Sequence, residues 1–471
     1  MSAERPRNWL KLSCIGCVGL PCLVLIGSYG FFKWQIGRRA GTLSTEIGKL
    51  KALGIPTTTD ELYGAAPPIN QNAYSGYIEL GKLMQKVQAA ASPLDRATIS
   101  TFEGHPSDFA TYEEALVVYR PVFQLADSFL YKPKFYLKRE LDPTTQFPEY
   151  SNMRELAKIF SSRATYYTIK GEYAKAIHDI DRIFRVGDHV RQDPILIAGL
   201  VDTAISSIAY ANVQRLLPHL QSDPKNLQLL ESVVSRHLEV ADMVNELHAE
   251  LLFSRKAIQQ LRRWKDVSGS QAAPDGFQRI LDNATLNDPS VRQMFEAKLV
   301  STYRELFATL PKDHENYLGQ SSAFKAIDEK VRRDSSLENR MNQLLLPIFS
   351  QAPILYARSQ AQKRVALLAV RLMLLPKDQL PPNLSAYGKF GMDPLTRKPL
   401  GYKRANGQFK VWSVGSNRFD DGGTPSRRGL GGENGDYVLG TMSGLELEPP
   451  RPVRRPRPLA AGPPPKPPTL Q

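Results

Sequence analysis

The sequence predicts a mainly α protein: a single N-terminal transmembrane helix, a large helical domain, a small C-terminal β-rich appendix and a disordered proline-rich tail. Three observations carry that reading. An uncharged apolar stretch of 21 residues, Leu12 to Phe32, lies near the start. Helical hydrophobic periodicity then runs from about residue 67 to 380. A strand-like pattern with turn punctuation follows, over residues 388–440.

Composition fits a folded protein with a sizeable core, since hydrophobic residues are 42% and charged residues 23% of 471. The net charge of +14 invites a nucleic-acid reading, but its placement argues against one. Residues 1–39 hold six Lys/Arg against Glu4, and residues 449–471 hold five Lys/Arg and no acid. The excess therefore flanks the apolar stretch and fills the tail, and no nucleic-acid partner is expected.

The first element is a basic head, residues 1–11, before the span "LSCIGCVGLPCLVLIGSYGFF" at 12–32. A helix needs about 20 apolar residues to cross a bilayer. Trp9 and Trp34 stand at its ends, where amphipathic aromatics settle at the headgroups. Cys14, Cys17 and Cys22 all lie within it, so they read as small membrane-embedded side chains and not as half of a zinc site. An uncleaved single-pass anchor is favoured over a cleaved signal. The basic head places the N-terminus in the cytoplasm and the bulk of the chain outside, in the periplasm or beyond, with the bacterial cytoplasmic membrane as the site and the lipid bilayer as a partner.

Residues 33–66 read as a juxtamembrane helix and linker. The helical domain, 67–380, follows, with Asn72 as a cap and an interruption or kink at Pro121. In "GEYAKAIHDIDRIFRVGDHV" the apolar residues Ala176, Ile177, Ile180, Ile183 and Phe184 share one face. Asp179 and Asp181 are expected as solvated or ion-paired groups beside Arg182 and Arg185, and His178 and His189 as surface or packing residues. Asp193 and Pro194 look like the start of a helix that is apolar nearly all round and so belongs in the core. Residues 226–264 read as one long helix, placing His237 and His248 on a common face about 16 Å apart. A further helical pair breaks near Pro347 or Pro353.

Arg163 to Val186 resembles one tetratricopeptide unit through Ala164, Tyr167, Gly171, Tyr173, Ala176 and Ile177. The resemblance implies a tight helix pair turning at Gly171. No second copy follows, so a solenoid is not expected.

In the 388–440 module, "LGYKR" and "QFKVWSV" are strands joined at Ala405-Asn406-Gly407. The stretch resembles the C-terminal module of type II secretion major pseudopilins, carried by Asp393, Pro394, Tyr402, Trp412, Ser413, Gly415, Asn417, Asp421, Gly422 and Asp436. That resemblance implies one calcium ion held by Asn417, Asp420, Asp421, Glu433 and Asp436. The alternative is a metal-free acidic turn whose aspartates accept backbone amides or pair with Arg427 and Arg428. The full arrangement of anchor, helical domain and module looks like a group of bacterial membrane-anchored helical proteins, which supplies an architecture and no activity. Residues 441–471 are a tail rich in proline and arginine.

No nucleophile elbow, phosphate loop or zinc-protease motif occurs. The reading is a membrane-tethered extracytoplasmic scaffold or binding protein of the cell envelope, its partner an envelope protein or an anionic polymer. Two alternatives stand beside it: an envelope hydrolase with a site assembled in the helical domain, and a secretion or pilus-assembly component.

Overall fold

The computed structural model describes residues 29–92, 98–260, 288–346, 351–415, 417–425 and 435–442. Most of the proposed span, Arg427, Arg428, Glu433 and residues 443–471 lie outside these. The described chain is mainly helical with one small three-stranded sheet.

Helix α1 (29–40) turns at Gly41 into α2 (Leu43–Ala52), and the short α3 (Thr59–Tyr63) follows. The Asn72 side chain accepts from the amides of Tyr74 and Tyr136, so it ties the start of α4 (Tyr74–Ala90) to the 131–137 connector. At Pro121 the helix is interrupted, the first of the two expected outcomes, and not kinked. The proline opens α6 (Arg120–Phe129) directly after α5 (Phe109–Val118), because proline fits the first turn, where its missing N–H costs nothing.

The expected helix pair forms as α7 (Pro148–Ile169) and α8 (Tyr173–Arg191). Gly171 turns the chain at φ +74°, a conformation other residues rarely adopt. Ala164 and Ala176 are fully buried between the two helices. Helix α9 (Leu196–Leu216) packs on both, with a 3₁₀ turn to Leu220. It is the described helix long and apolar enough to cross a bilayer, and 61% of its most apolar window is buried inside the protein. Asp193 does not cap it. Ile195 stands in the capping position, because the Asp193 carboxylate is taken by Arg139 and Tyr150.

The single long helix expected over 226–264 is two: α10 (Pro224–Arg236) and α11 (Met243–Gln259). The break follows from side-chain demand. His237 is drawn inward by two aspartates of α8, and Asp242 restarts the helix by accepting from the Val244 amide. His237 and His248 therefore share no helical face. Helices α12 (Pro289–Thr309), α13 (Tyr317–Arg333) and α14 (Arg340–Leu345) precede α15 (Ala352–Met373), in which 17 of 22 residues are buried. That degree of enclosure makes α15 the central helix.

Strands β1 (Gly401–Ala405), β2 (Gln408–Ser413) and β3 (Tyr437–Gly440) form an antiparallel sheet with β2 in the middle. The hairpin turn sits at Asn406 and Gly407, both at positive φ, the twist that matches paired strands. Tyr402 pairs with Val411, and Trp412 with Val438. The sheet does not stand apart from the helices: Phe409, Val411 and Leu439 join the same core as the second half of α15.

The core has two parts. One gathers α4 to α10, the sheet and Val365–Leu372 of α15. The other gathers α2, α12, α13 and Tyr356, Ala357 and Ala361 of α15. Between them on α15 lie Gln362, Lys363 and Arg364, all buried.

Candidate functional site

The structure brings together four of the five residues expected to hold calcium. Asp420 accepts from the Trp412 indole N–H and the Gly422 amide, each at 2.9 Å. Asp436 is buried and accepts from the Gly423 amide at 2.7 Å and the Asp421 amide at 3.3 Å. Asn417 donates to Asp421 at 3.2 Å. Lys410 donates to the carbonyls of Gly422 and Gly423 at 2.6 and 2.9 Å. Burial raises the Asp436 carboxyl, the two amides oppose that, and the charges of Asp420 and Asp421 add to it. Amides and an ammonium thus contact this loop, and Lys410 occupies the two carbonyls that it would otherwise offer as oxygen donors. Among the described residues, no three His, Cys, Asp or Glu side chains are grouped to hold a metal.

A second, larger constellation lies at the seam between the two parts of the core. Its first half centres on His237, whose Nδ1 meets Asp188 at 2.5 Å and whose Nε2 meets Asp181 at 3.0 Å. Two carboxylates on one ring require both nitrogens to carry protons, so the ring is an imidazolium. Burial lowers its pKa, but the hydrogen bonds to Asp181 and Asp188 outweigh that and the net shift is upward. Burial raises Asp188 while the His237 bond lowers it, and the result is about 2. Phe184 stacks on the ring at 5.1 Å, and Arg191 adds a bond to Asp188 at 2.8 Å.

The other half is drier. Lys363 is 1% exposed and donates to the Glu239 carbonyl. Burial pulls its pKa down to about 8, with the Asp202 charge opposing. Asp202, 1% exposed on α9, is raised by burial against the pull of Lys363 and Arg191, and accepts from Ser206 at 3.1 Å. Glu246 on α11 is 3% exposed and raised well above the carboxylate range by burial, with the Tyr356 hydroxyl donating to it. This last pair fits only because α9 has glycine at 199. A Cβ there would lie 1.9 Å from Glu246 Oε1 and 2.1 Å from the Tyr356 hydroxyl.

Two further buried groupings fasten the first part of the core. Arg139 bonds Asp193 at 2.7 Å and also Glu149, while the Tyr150 hydroxyl donates to Asp193 at 2.7 Å. Arg163 makes a two-pronged pair with Asp179 at 2.7 and 2.6 Å and lies 3.7 Å over the Phe123 ring. Asp179 and Asp181 are interior residues, 0% and 3% exposed, and of the two expected readings the ion-paired one holds: Arg182 bonds Asp179 at 2.9 Å and Arg185 bonds Asp181 at 3.2 Å. His189 is buried as well, against the Tyr77 hydroxyl at 3.0 Å and the Lys132 carbonyl at 2.8 Å. His178 enters no such grouping.

Chemically, this interior ties helices together. Asp202, Glu246 and Lys363 are 1%, 3% and 1% exposed. Sequence reasoning missed them, although one signal was present: Asp202 is a charge in the middle of an apolar helix, and such a charge demands a partner. No protein-family model matches the chain, and no significant match was found among curated proteins or among solved structures.

Proposed function

We propose that this chain is a membrane-tethered helical scaffold or binding protein of the bacterial envelope, with its folded body outside the cytoplasm. The observation that supports the tether is the surface of α1. Tyr29, Phe31, Phe32 and Trp34 are between 41% and 62% exposed, although all are large and apolar. The next two inward positions, Ile36 and Ala40, are 3% and 7% exposed and join the protein. Four exposed aromatics within six residues mark an interaction surface. Three of them close the uncharged stretch at 12–32 and Trp34 follows it, so a bilayer is their occupant. Each such ring contributes about 1.5–3 kcal/mol when it leaves water.

The scaffold reading rests on the enclosed, paired interior. A hydrolase using the acids and the lysine at the seam would need solvent access to them, and Asp202, Lys363 and Glu246 are 1–3% exposed. The cationic tail at 449–471 supplies the binding chemistry, for an anionic polymer or an acidic face of an envelope protein; such an affinity falls steeply with salt.

The test has two arms. Full-length protein stays in the membrane pellet through carbonate washing and needs detergent, while a chain lacking residues 1–35 is soluble and melts as a folded body. A periplasm-dependent reporter fused after Gln471 is active. Full-length protein in the carbonate supernatant overturns the tether, and a silent reporter overturns the orientation. The calcium role implied by the pseudopilin resemblance is separated by calorimetric titration of the full chain. Heat that vanishes in Asp421→Asn/Asp436→Asn supports the ion; no heat at millimolar calcium supports the capped turn.

A further inference from the structure

Helix α1 does more than emerge from the body; it is clamped to it. Lys33 pairs with Asp288, the residue that caps α12, and Arg39 pairs with Glu338. Ile36 is buried in the second part of the core together with Leu50 of α2. Further along, Glu46 of α2 accepts from Arg304 of α12 at 2.8 Å. The sequence offset between partners barely changes from Lys33–Asp288 to Glu46–Arg304. The α1–α2 segment and α12 therefore run side by side in the same direction, with Lys33 and Asp288 level at one end.

Helix α11 runs the opposite way against α12. His248 faces Phe307 with ring centres 5.1 Å apart, Arg255 bonds Glu296 at 2.8 Å, and Gln259 bonds the same carboxylate at 3.1 Å. As the residue number rises on α11 it falls on α12, so α11 ends toward the Asp288 end. That end also carries the exposed aromatics of α1, one turn and less from Lys33.

We propose that the body stands directly on the bilayer through this end, with α12 along the membrane normal and its first turn, at Pro289, level with the lipid headgroups. The inference rests on the tether reading and adds an orientation to it. Lys33 follows the uncharged stretch immediately, so the ion pair to Asp288 forms where the span leaves the hydrocarbon. No flexible linker intervenes: α1 is helical from residue 29 to 40 and is already buried against the body at Ile36. The partner face is a lipid surface.

The two ends of α12 provide the ruler. Pro289 and Thr309 are both exposed, and twenty residues of helix separate them by about 30 Å. The full chain is prepared with Cys14→Ser, Cys17→Ser and Cys22→Ser and one fluorophore-bearing cysteine, at Pro289→Cys or at Thr309→Cys. Ser290→Cys serves as a second membrane-side position in case the first disturbs the cap. Each protein is reconstituted into phosphatidylcholine–phosphatidylglycerol vesicles containing a lipid with a nitroxide on its headgroup. The expected result is quenching at 289 and 290 at least threefold stronger than at 309, with all three proteins floating with the vesicles. Equal quenching at both ends of α12 in floating protein overturns the fixed orientation and leaves the tether standing. Stronger quenching at 309 overturns it by reversing the body. Protein that fails to float overturns the tether and this inference together.

Discussion

Two stretches of this chain are long and apolar, the described helix Leu196–Leu220 and the sequence at 12–32 for which we propose a membrane span, and they differ in their polar residues. Residues 12–32 are uncharged, bracketed by Trp9 and Trp34, and lead into a helix whose aromatics face outward. Leu196–Leu220 is also long and apolar, but it carries Asp202, Asn212 and Arg215. Each of those polar groups has a protein partner. Ser206 donates to Asp202, Asn212 donates to Ser161 at 2.7 Å, and Arg215 donates to Thr165 at 2.6 Å. The difference lies in what the polar residues require. A lipid-facing helix cannot satisfy a charge, whereas a core helix can recruit partners from its neighbours.

The sharpest way to break the comparison is to remove a partner. His237→Ala leaves Asp181 and Asp188 without their shared imidazolium and empties the face of Phe184. Breaking a buried pair costs about 3–5 kcal/mol, and urea unfolding reads it directly. Cys17→Ser in the 12–32 stretch is expected to leave the same unfolding curve unchanged if that stretch lies in the bilayer as proposed. An unaltered midpoint for His237→Ala would show that the seam does not hold the helices.

The pH dependence sharpens the same point. His237 has a raised folded pKa, so its contribution is fully present below the unfolded value of about 6.5 and is lost as pH rises through the folded value. Asp188 is depressed, so its contribution holds above about 3.9 and is lost as pH falls toward about 2. His189 works in the opposite sense: burial lowers its pKa, so its stability is lost on acidification. The stability difference between the native chain and His237→Gln isolates the first effect. It should be largest near pH 5 to 6 and shrink on the alkaline side; a difference flat from pH 5 to 9 would remove the imidazolium from the account.

A smaller effect belongs to Gly199. Gly199→Ala pushes a methyl group into Glu246 and Tyr356, and overpacking of this kind costs roughly 1–3 kcal/mol. Gly19→Ala within 12–32 keeps that stretch uncharged and should leave membrane fractionation as it was. Equal melting temperatures for native and Gly199→Ala protein would mean that the Glu246–Tyr356 pair relaxes freely.

How much of this was legible depends on sequence distance. The Asn406-Gly407 turn and the Gly171 helix pair are local, and the residues at those positions announce them. The core role of the helix after Pro194 follows from its composition. The third strand was not visible, because Tyr437–Gly440 acquires its partner only across the loop from β2. Asp193 and Pro194 carried a sound capping signal that a longer-range demand overrode, from Arg139, 54 residues away. The break at His237 has the same origin. The seam draws on α8, α9, α11, α15 and the 237–242 connection, and Glu246 meets Tyr356 across 110 residues. No window of sequence contains such a pairing. The acidic loop was the reverse case: its residues were found, and the structure shows which amides and which ammonium hold them.

The smallest expected effect tests whether apolarity alone decides where a helix goes. Asp202→Leu with Lys363→Met removes two buried opposite charges that attract each other and makes Leu196–Leu220 more apolar. Replacing a buried ion pair by apolar groups of similar volume is often neutral, or stabilising by about 1–4 kcal/mol. In a chain lacking residues 1–35, the double variant should remain soluble and unfold at or above the urea midpoint of the undoubled chain. Its helix stays in the body because Ile205, Ala209, Tyr210 and Val213 are already fully enclosed by protein, and leaving would expose the surfaces that α7, α8 and α15 bury against them. Single Lys363→Met is the control, since it strands Asp202 and should lower stability. Recovery of the double variant in the membrane pellet would show that one charge pair, and not packing, keeps this helix out of the bilayer.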